Sequence, residues 1–169
     1  YPIMKKTFER RGLETEPLLA HSYERVMPGR QYVASIRDFW RVCSGVNPPA
    51  RERVVRFLTD VLNTKKFPVT VLDRPIESET AKIVENSYRA TNIAFIEEWA
   101  KLAEGAGVDM FDIVKSVRMR KGTHDNMMLP GLGVGGYCLT KDALLAAYGA
   151  ESILGVPAPL ALAVIIAIL

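Results

Sequence analysis

Apolar positions along this chain change their period several times, and each change predicts an element. Tyr1-Pro2 reads as the tail of a strand, and residues 3–12 predict a short helix closed by Gly12. Leu18-Leu19-Ala20 is a short apolar run, expected as a buried strand that ends at His21-Ser22-Tyr23-Glu24-Arg25; Pro28-Gly29 then marks a turn. Arg41-Val42-Cys43-Ser44 predicts another strand, stopped by Gly45, with Cys43 in the core. Pro48 and Pro49 can open a helix, because proline is tolerated in the first turn. Val54, Val55, Leu58, Val61 and Leu62 continue it at helical spacing to about Asn63. The β-branched run Val69-Thr70-Val71-Leu72 predicts a strand. Strand, helix, strand is the edge of an α/β unit.

The second half reads differently. From Glu77 to Glu104 there is neither proline nor glycine, which predicts one long helix of roughly 40 Å. Ile83, Val84, Ala90, Ala94, Phe95 and Leu102 are expected on its apolar side, and so long a helix needs cover from a partner or another domain. Gly105 and Gly107 stop it. Asp109 is placed to cap a helix from Met110 to Met119, with Phe111, Ile113, Val114 and Val117 inward. Ile153 to Leu169 is almost wholly apolar but is interrupted by Gly155, Pro157 and Pro159. That is too short and broken for a membrane span, which needs about 20 apolar residues. It is expected to be a helix buried against a further domain.

One stretch concentrates chemistry. In Pro130-Gly131-Leu132-Gly133-Val134-Gly135-Gly136-Tyr137-Cys138-Leu139-Thr140-Lys141-Asp142, four glycines fall within six residues. Such a backbone can reach φ > 0 and approach a phosphate or a sugar closely. Leu139, Leu144, Leu145 and Tyr148 predict a helix after it, which places Cys138 at a helix N-terminus, where the dipole favours a thiolate. Asp142 follows one turn later on the same face. A thiol, a carboxylate and an ammonium beside a flexible cradle suggest covalent catalysis; an ordinary loop with a small buried cysteine is the alternative. The stretch is not a P-loop, since no Gly-Lys-Ser/Thr follows, and not a Rossmann fingerprint, because the glycines precede a cysteine rather than opening a βαβ unit. On the long helix, Lys82, Asn86 and Arg89, with Asn92 beyond, share one face. They form either a solvated surface or a polar strip beneath a ligand. Arg118, Arg120, Lys121, His124 and Asn126 make the preceding loop basic and suited to an anion.

Composition narrows the classes. The 169 residues can bury one good core, or one domain plus part of another. The net charge of +3 is modest and its basic residues are dispersed, which argues against nucleic acid as the main partner. Cys43 and Cys138 make no disulfide framework, and no metal-ligand spacing is present. With no secretory signal at the start, a reducing cytoplasm is expected. A first residue other than Met and an apolar end suggest a piece of something longer.

Three segments in this order resemble one family. They are Glu24-Arg25-Val26-Met27-Pro28-Gly29, then Glu79-Thr80-Ala81-Lys82-Ile83-Val84-Glu85-Asn86-Ser87-Tyr88-Arg89-Ala90-Thr91-Asn92-Ile93-Ala94-Phe95, then the glycine–cysteine loop. Together they are similar to the UDP-glucose/GDP-mannose dehydrogenases, over about residues 1–150, and Gly-Tyr-Cys-Leu-Thr-Lys-Asp looks like members that oxidise UDP-sugars. The resemblance implies an enzyme of polysaccharide biosynthesis that oxidises the C6 hydroxyl of a nucleotide sugar to a carboxylate and reduces two NAD. Cys138 would attack the intermediate aldehyde and give a thiohemiacetal and then a thioester. Lys82 would stabilise the oxyanion. Asn86 and Asp142 would position water and assist proton transfer, and Glu24 would serve thioester hydrolysis. Gly133, Gly135, Gly136 and Tyr137 would contact substrate, Arg120 would reach the partner subunit's nucleotide sugar, and Pro2 would lie at the cofactor. The long helix 77–104 would form the core of a homodimer. The implied fold is an α/β remnant, residues 1–75, that ends a Rossmann-type NAD-binding domain. A mainly helical central domain, 76–169, follows it and is like the C-terminal domain of 6-phosphogluconate dehydrogenase. Two departures stand out: the α/β half, residues 1–75, holds no Gly-x-Gly-x-x-Gly turn of the family's N-terminal Rossmann domain, and Ala143 replaces the proline usual after the aspartate. A dimerisation or binding module without its own cofactor site is therefore the second reading.

Overall fold

The computed structural model describes residues 1–168, with side chains to Val164. Its described residues form a small mixed α/β protein with seven α-helices and one three-stranded sheet, in two compact units, Tyr1–Lys82 and Ile83–Leu169.

In the first unit the sheet has the order β1-β2-β3, with β1 (Ala20–Tyr23), β2 (Arg41–Gly45) and β3 (Val69–Leu72). β1 runs antiparallel to β2, with His21 opposite Ser44. β3 runs parallel to β2, with Cys43 opposite Val71. All five residues of the central strand β2 are buried, Cys43 completely. Helix α3 (Pro48–Val61) makes the crossover to β3 and starts on the two prolines as expected; the Asn47 side chain accepts the Ala50 N–H at 2.9 Å. The close fit of this turn depends on Gly45. A Cβ there would lie 2.6 Å from the Arg51 nitrogen.

Three expectations for this half change. Tyr1-Pro2 is not a strand end: Pro2 opens helix α1 (Pro2–Arg10), where its fixed φ suits the first turn and Tyr1 is the N-cap residue. β1 begins at Ala20 rather than Leu18, because its pairing with β2 runs from Ala20 opposite Gly45 to Tyr23 opposite Val42. Helix α2 (Tyr32–Arg37) has no counterpart in the sequence pattern; six residues are too few to show a helical period.

Helix α4 (Pro75–Gly105) spans 31 residues, about 46 Å. Its expected apolar side is kept in part: Ala90 and Ala94 are buried, with Ile96 and Ala103, whereas Val84, Phe95 and Leu102 are exposed. The reason lies in the second unit. Ala90 packs on Ala143 of α6 (Leu139–Tyr148) and Val164 of α7 (Pro159–Ile168), with Leu139 at the edge, and small residues let three helices approach closely. α7 packs within this unit through Val164, while Leu160 and Leu162 are exposed; Leu169 lies outside the described residues. Between α6 and α7 the chain makes one π-helical turn, Gly149–Ile153. Helix α5 (Met110–Val117) is capped by Asp109, whose carboxylate accepts the Phe111 N–H at 2.8 Å. It ends two residues before Met119, and only Val114 is buried; Phe111 and Ile113 face outward. No helix among the described residues is long and apolar enough to cross a membrane.

Candidate functional site

The predicted site residues fall in both units, and each unit assembles its own share. In the first, β1 ends at Tyr23 and leads into the turn Glu24–Gly29, whose last residue has φ +108°, a conformation open to glycine. Side chains from neighbouring elements hold this turn. Arg25 donates to the Trp40 carbonyl at 2.8 Å and to the Tyr23 hydroxyl at 3.0 Å, and the buried Ser35 hydroxyl accepts the Met27 N–H at 2.9 Å. The Glu24 carboxylate is exposed and turns back to accept the Val26 N–H. Lys82, on α4, donates to the Glu24 carbonyl at 3.0 Å, with its ammonium 5.5 Å from the centre of the Tyr23 ring. Lys82 and Glu24, 58 positions apart, are therefore neighbours.

In the second unit the organising contact is between α4 and α6. Asn86 Nδ2 donates to Asp142 Oδ2 at 2.5 Å, and the two residues are 9% and 3% exposed. Lys141 Nζ lies 2.5 Å from the other oxygen, Oδ1. The Asp142 carboxylate, beside Lys141, raises the lysine above the usual ammonium range, with a smaller contribution from Cys138. Cys138 itself is exposed at the N-cap position of α6, and its carbonyl accepts the Asp142 N–H at 2.9 Å. Asp142 is thus fixed one turn beyond an accessible thiol. The helix after Cys138 forms as expected, but it buries Asp142, Ala143 and Ala147, while Leu144, Leu145 and Tyr148 are exposed.

The glycine loop needs glycine for its backbone at two positions. Gly133 and Gly136 have φ near +85°, which side-chain-bearing residues rarely adopt, whereas Gly135 does not. Among the described residues no atom stands within 4 Å of a Cβ built at Gly133, Gly135 or Gly136, so packing there does not demand these glycines. Tyr137 is 91% exposed. The loop is tethered at its start, where Glu97 of α4 accepts the Gly131 N–H at 2.7 Å. No local signal in the sequence announces this contact, which joins positions 34 apart.

Asn86, Arg89 and Asn92 line a cleft of about 310 Å³ with Glu85, Tyr88, Asn126 and Met128. The polar strip of α4 is therefore the wall of a concavity in this unit. A second cleft, about 410 Å³, shares Arg89, Asn126 and Met128 and reaches Gly131 and Gly133. Of the basic loop, Arg118 is committed to the Met127 carbonyl through Nε at 2.7 Å and also through NH2, and His124 pairs with Thr123. Arg120 and His124 line neither cleft.

Whether the described residues suit a dinucleotide can be judged at the β2–α3 turn, the strand-to-helix turn of the parallel pair. A pyrophosphate there needs free N–H groups at the helix start. Pro48 and Pro49 have none, Asn47 already holds the Ala50 N–H, and Gly45 is closed against the α3 backbone. The turn does not fit NAD. Pro2 stands at the start of the exposed helix α1.

Comparison with known proteins gives this geometry its context. Residues 76–166 match the UDP-glucose/GDP-mannose dehydrogenase family, central domain. The UDP-N-acetyl-D-mannosamine dehydrogenase of Pyrococcus horikoshii is 32% identical over 139 residues, which cover 81% of this chain and 31% of that protein. The UDP-glucose 6-dehydrogenase of Rickettsia conorii is 37% identical over 114 residues, 66% of this chain and 26% of that protein. A solved structure of a UDP-D-ManNAc dehydrogenase from Pyrococcus horikoshii superposes on 99% of this chain and 38% of its own, with a TM-score of 0.77 at 24% identity, a likeness of fold. The chain spans about a third of the length of the curated relatives it matches. It belongs to the UDP-glucose/GDP-mannose dehydrogenase family, of which it carries the central domain.

Proposed function

We propose that this chain is the catalytic and dimerisation segment of an NAD-dependent nucleotide-sugar 6-dehydrogenase, which oxidises the C6 hydroxyl of a UDP-sugar to a carboxylate. One observation carries the reading: an exposed thiol, Cys138, stands one helical turn before a buried carboxylate, Asp142, that Asn86 and Lys141 hold by both oxygens. NAD, which the resemblance implies, would accept the two hydrides, and its site is assigned away from the β2–α3 turn.

The chain's own residues act on the carbon. Cys138 Sγ adds to the C6 aldehyde and forms a C–S bond. Once that carbon is at the acyl level, water attacks the thioester, the C–S bond breaks, and the carboxylate leaves as the thiol is restored. Asn86 gives an N–H to Asp142 and keeps its carbonyl oxygen as a water acceptor, so the pair suits positioning and deprotonation of that water. Lys82 is assigned to the oxyanion, Glu24 to hydrolysis, and Gly133, Gly135, Gly136, Tyr137 and Arg120 to the nucleotide sugar. The cleft walled by Arg89, Asn92 and Asn126 supports an anionic, hydroxylated ligand.

The finer architecture belongs to the same proposal: residues 1–75 end a Rossmann-type domain, and 76–169 form a central domain like that of 6-phosphogluconate dehydrogenase. The homodimer is assigned to α4, where Val84, Tyr88, Phe95, Trp99 and Leu102 are exposed along one stripe. Two free thiols support a cytoplasmic location. The test is NADH formation by the protein that carries this chain, offered a panel of UDP-sugars and GDP-mannose. Acid and NADH that vanish in Cys138→Ala are expected; equal turnover by that variant would refute the assignment.

A further inference from the structure

We propose that His21 is a positioning residue: as its Nδ1–H tautomer it pins the first turn of α4 through Ser78 and thereby sets Lys82 on the Glu24 carbonyl. The proposal rests on the reading above in giving Lys82 and Glu24 a part in the reaction. Its geometry stands apart from that reading and lies wholly within the first unit.

Ser78 is fully buried and makes three hydrogen bonds. Its Oγ is 2.6 Å from His21 Nδ1, 2.7 Å from Ser44 Oγ and 3.0 Å from the Pro75 carbonyl. A hydroxyl has one proton and two lone pairs. The Pro75 carbonyl can only accept, so the Ser78 proton goes there. Ser44 and His21 must then both donate to Ser78 Oγ. This proton count puts the imidazole proton on Nδ1 and leaves Nε2 to face away from the knot. His21 and Ser44 are directly paired across β1 and β2, so one buried serine ties α4 to both strands.

The knot lies one step from the candidate chemistry. Along β1, His21 and Tyr23 lie on the same face, about 6.7 Å apart. Along α4, Ser78 and Lys82 lie on the same face, about 6 Å apart. The two spacings match, so a rung at His21–Ser78 brings Lys82 level with Tyr23 and Glu24. There its ammonium meets the Tyr23 ring and the Glu24 carbonyl. His21 and Tyr23 rings are 6.5 Å apart, which joins the two rungs. If the first rung is lost, α4 can turn or slide by a fraction of a residue, and the second rung is lost with it.

The experiment uses the chain itself and needs no turnover. Long-range proton–nitrogen NMR of the unaltered protein reads the tautomer; a protonated Nδ1 with a bare Nε2 at alkaline pH is expected, and the reverse would overturn the proposal. Acetylation of Lys82 by a water-soluble ester, followed peptide by peptide, reads its environment. In His21→Leu, checked as folded by circular dichroism, the Lys82 rate should rise about five-fold, the worth of one ordinary hydrogen bond. His21→Asn, which restores an N–H donor near Nδ1, should bring the rate back. An unchanged Lys82 rate in folded His21→Leu, or no recovery in His21→Asn, would overturn the proposal. Ser78→Ala repeats the test from the other side if His21→Leu does not fold. A protein that passes these tests yet produces no NADH from any nucleotide sugar would refute the function above and leave the clamp standing.

Discussion

Replacing Asn86 puts the α4–α6 contact under direct strain. The Asn86–Asp142 bond is short, buried and made to a carboxylate. Hydrogen bonds to charged groups contribute about 1.5–3 kcal/mol, and a buried acceptor left without its donor costs the upper part of that range. Lys141 remains on Oδ1, so the carboxylate is not stranded. Asn86→Ala should therefore destabilise the chain by about 2 kcal/mol. Asn86→Asp is the sharper variant, because it sets two carboxylates face to face where an amide donated. Such pairs share a proton, and one pKa rises by roughly two units or more, about 3 kcal/mol. The raised pKa belongs to the folded state, so the folded protein binds the extra proton and the unfolded chain does not. Stability of this variant must then fall as pH rises through that pKa and recover as pH drops toward about 4. Urea unfolding read by circular dichroism at pH 4 to 8 gives both numbers. An Asn86→Ala cost under about 0.5 kcal/mol, or an Asn86→Asp deficit that does not change with pH, would show that the contact does not bind α6 to α4.

Other expectations follow from single features. Gly45→Ala forces a methyl against the first turn of α3 and should cost about 2–3 kcal/mol, seen as a lower thermal midpoint; a neutral result would mean that the β2–α3 turn is looser than described. Iodoacetamide should label Cys138 readily and Cys43 only on unfolding, because burial pushes the Cys43 thiol up and shields it; peptide mapping distinguishes the two, and fast labelling of Cys43 would contradict its place in β2. The Lys141 ammonium is raised by Asp142, so its stabilising share is present below the ordinary lysine pKa and is lost as pH rises through the raised value. Lys141→Met should accordingly show a flatter loss of stability in that alkaline window than the unaltered chain. The proposed homodimer through α4 predicts that the unaltered protein sediments as a dimer and that Trp99→Glu, on the exposed stripe, sediments as a folded monomer; a monomeric unaltered protein or an unchanged dimer would remove α4 from the interface.

Much of this was legible because local chemistry and tertiary structure agree. β2, α3 and β3 are marked by β-branched runs and paired prolines whose preference the fold keeps. The Asp109 cap is a local bond and was readable as one. α2 was not, being shorter than two helical turns, and Pro2 was misread because a proline after an aromatic residue suits a strand end and a helix start equally. The long helix was plain, and its buried face was legible in part. Of the expected face, Ala90 and Ala94 are buried by close helix packing, whereas the larger Val84, Phe95 and Leu102 are exposed. At the candidate site, Cys138 and Asp142 were visible as a helical step. Asn86 entered through its face of α4 and the family likeness. Glu97 on Gly131 and His21 on Ser78 join positions 34 and 57 apart, and nothing in a local window foretells such pairs.

The most direct test of the proposed chemistry is to incubate the protein that carries this chain with NAD and a UDP-sugar, stop it with acid, and weigh the peptide that holds Cys138. The account predicts a sugar adduct on Cys138 that hydroxylamine removes, as it does a thioester, and a Cys138→Ser variant that forms no acid. Acid formed at the full rate by that variant, with no adduct at position 138 in the unaltered protein, would contradict it.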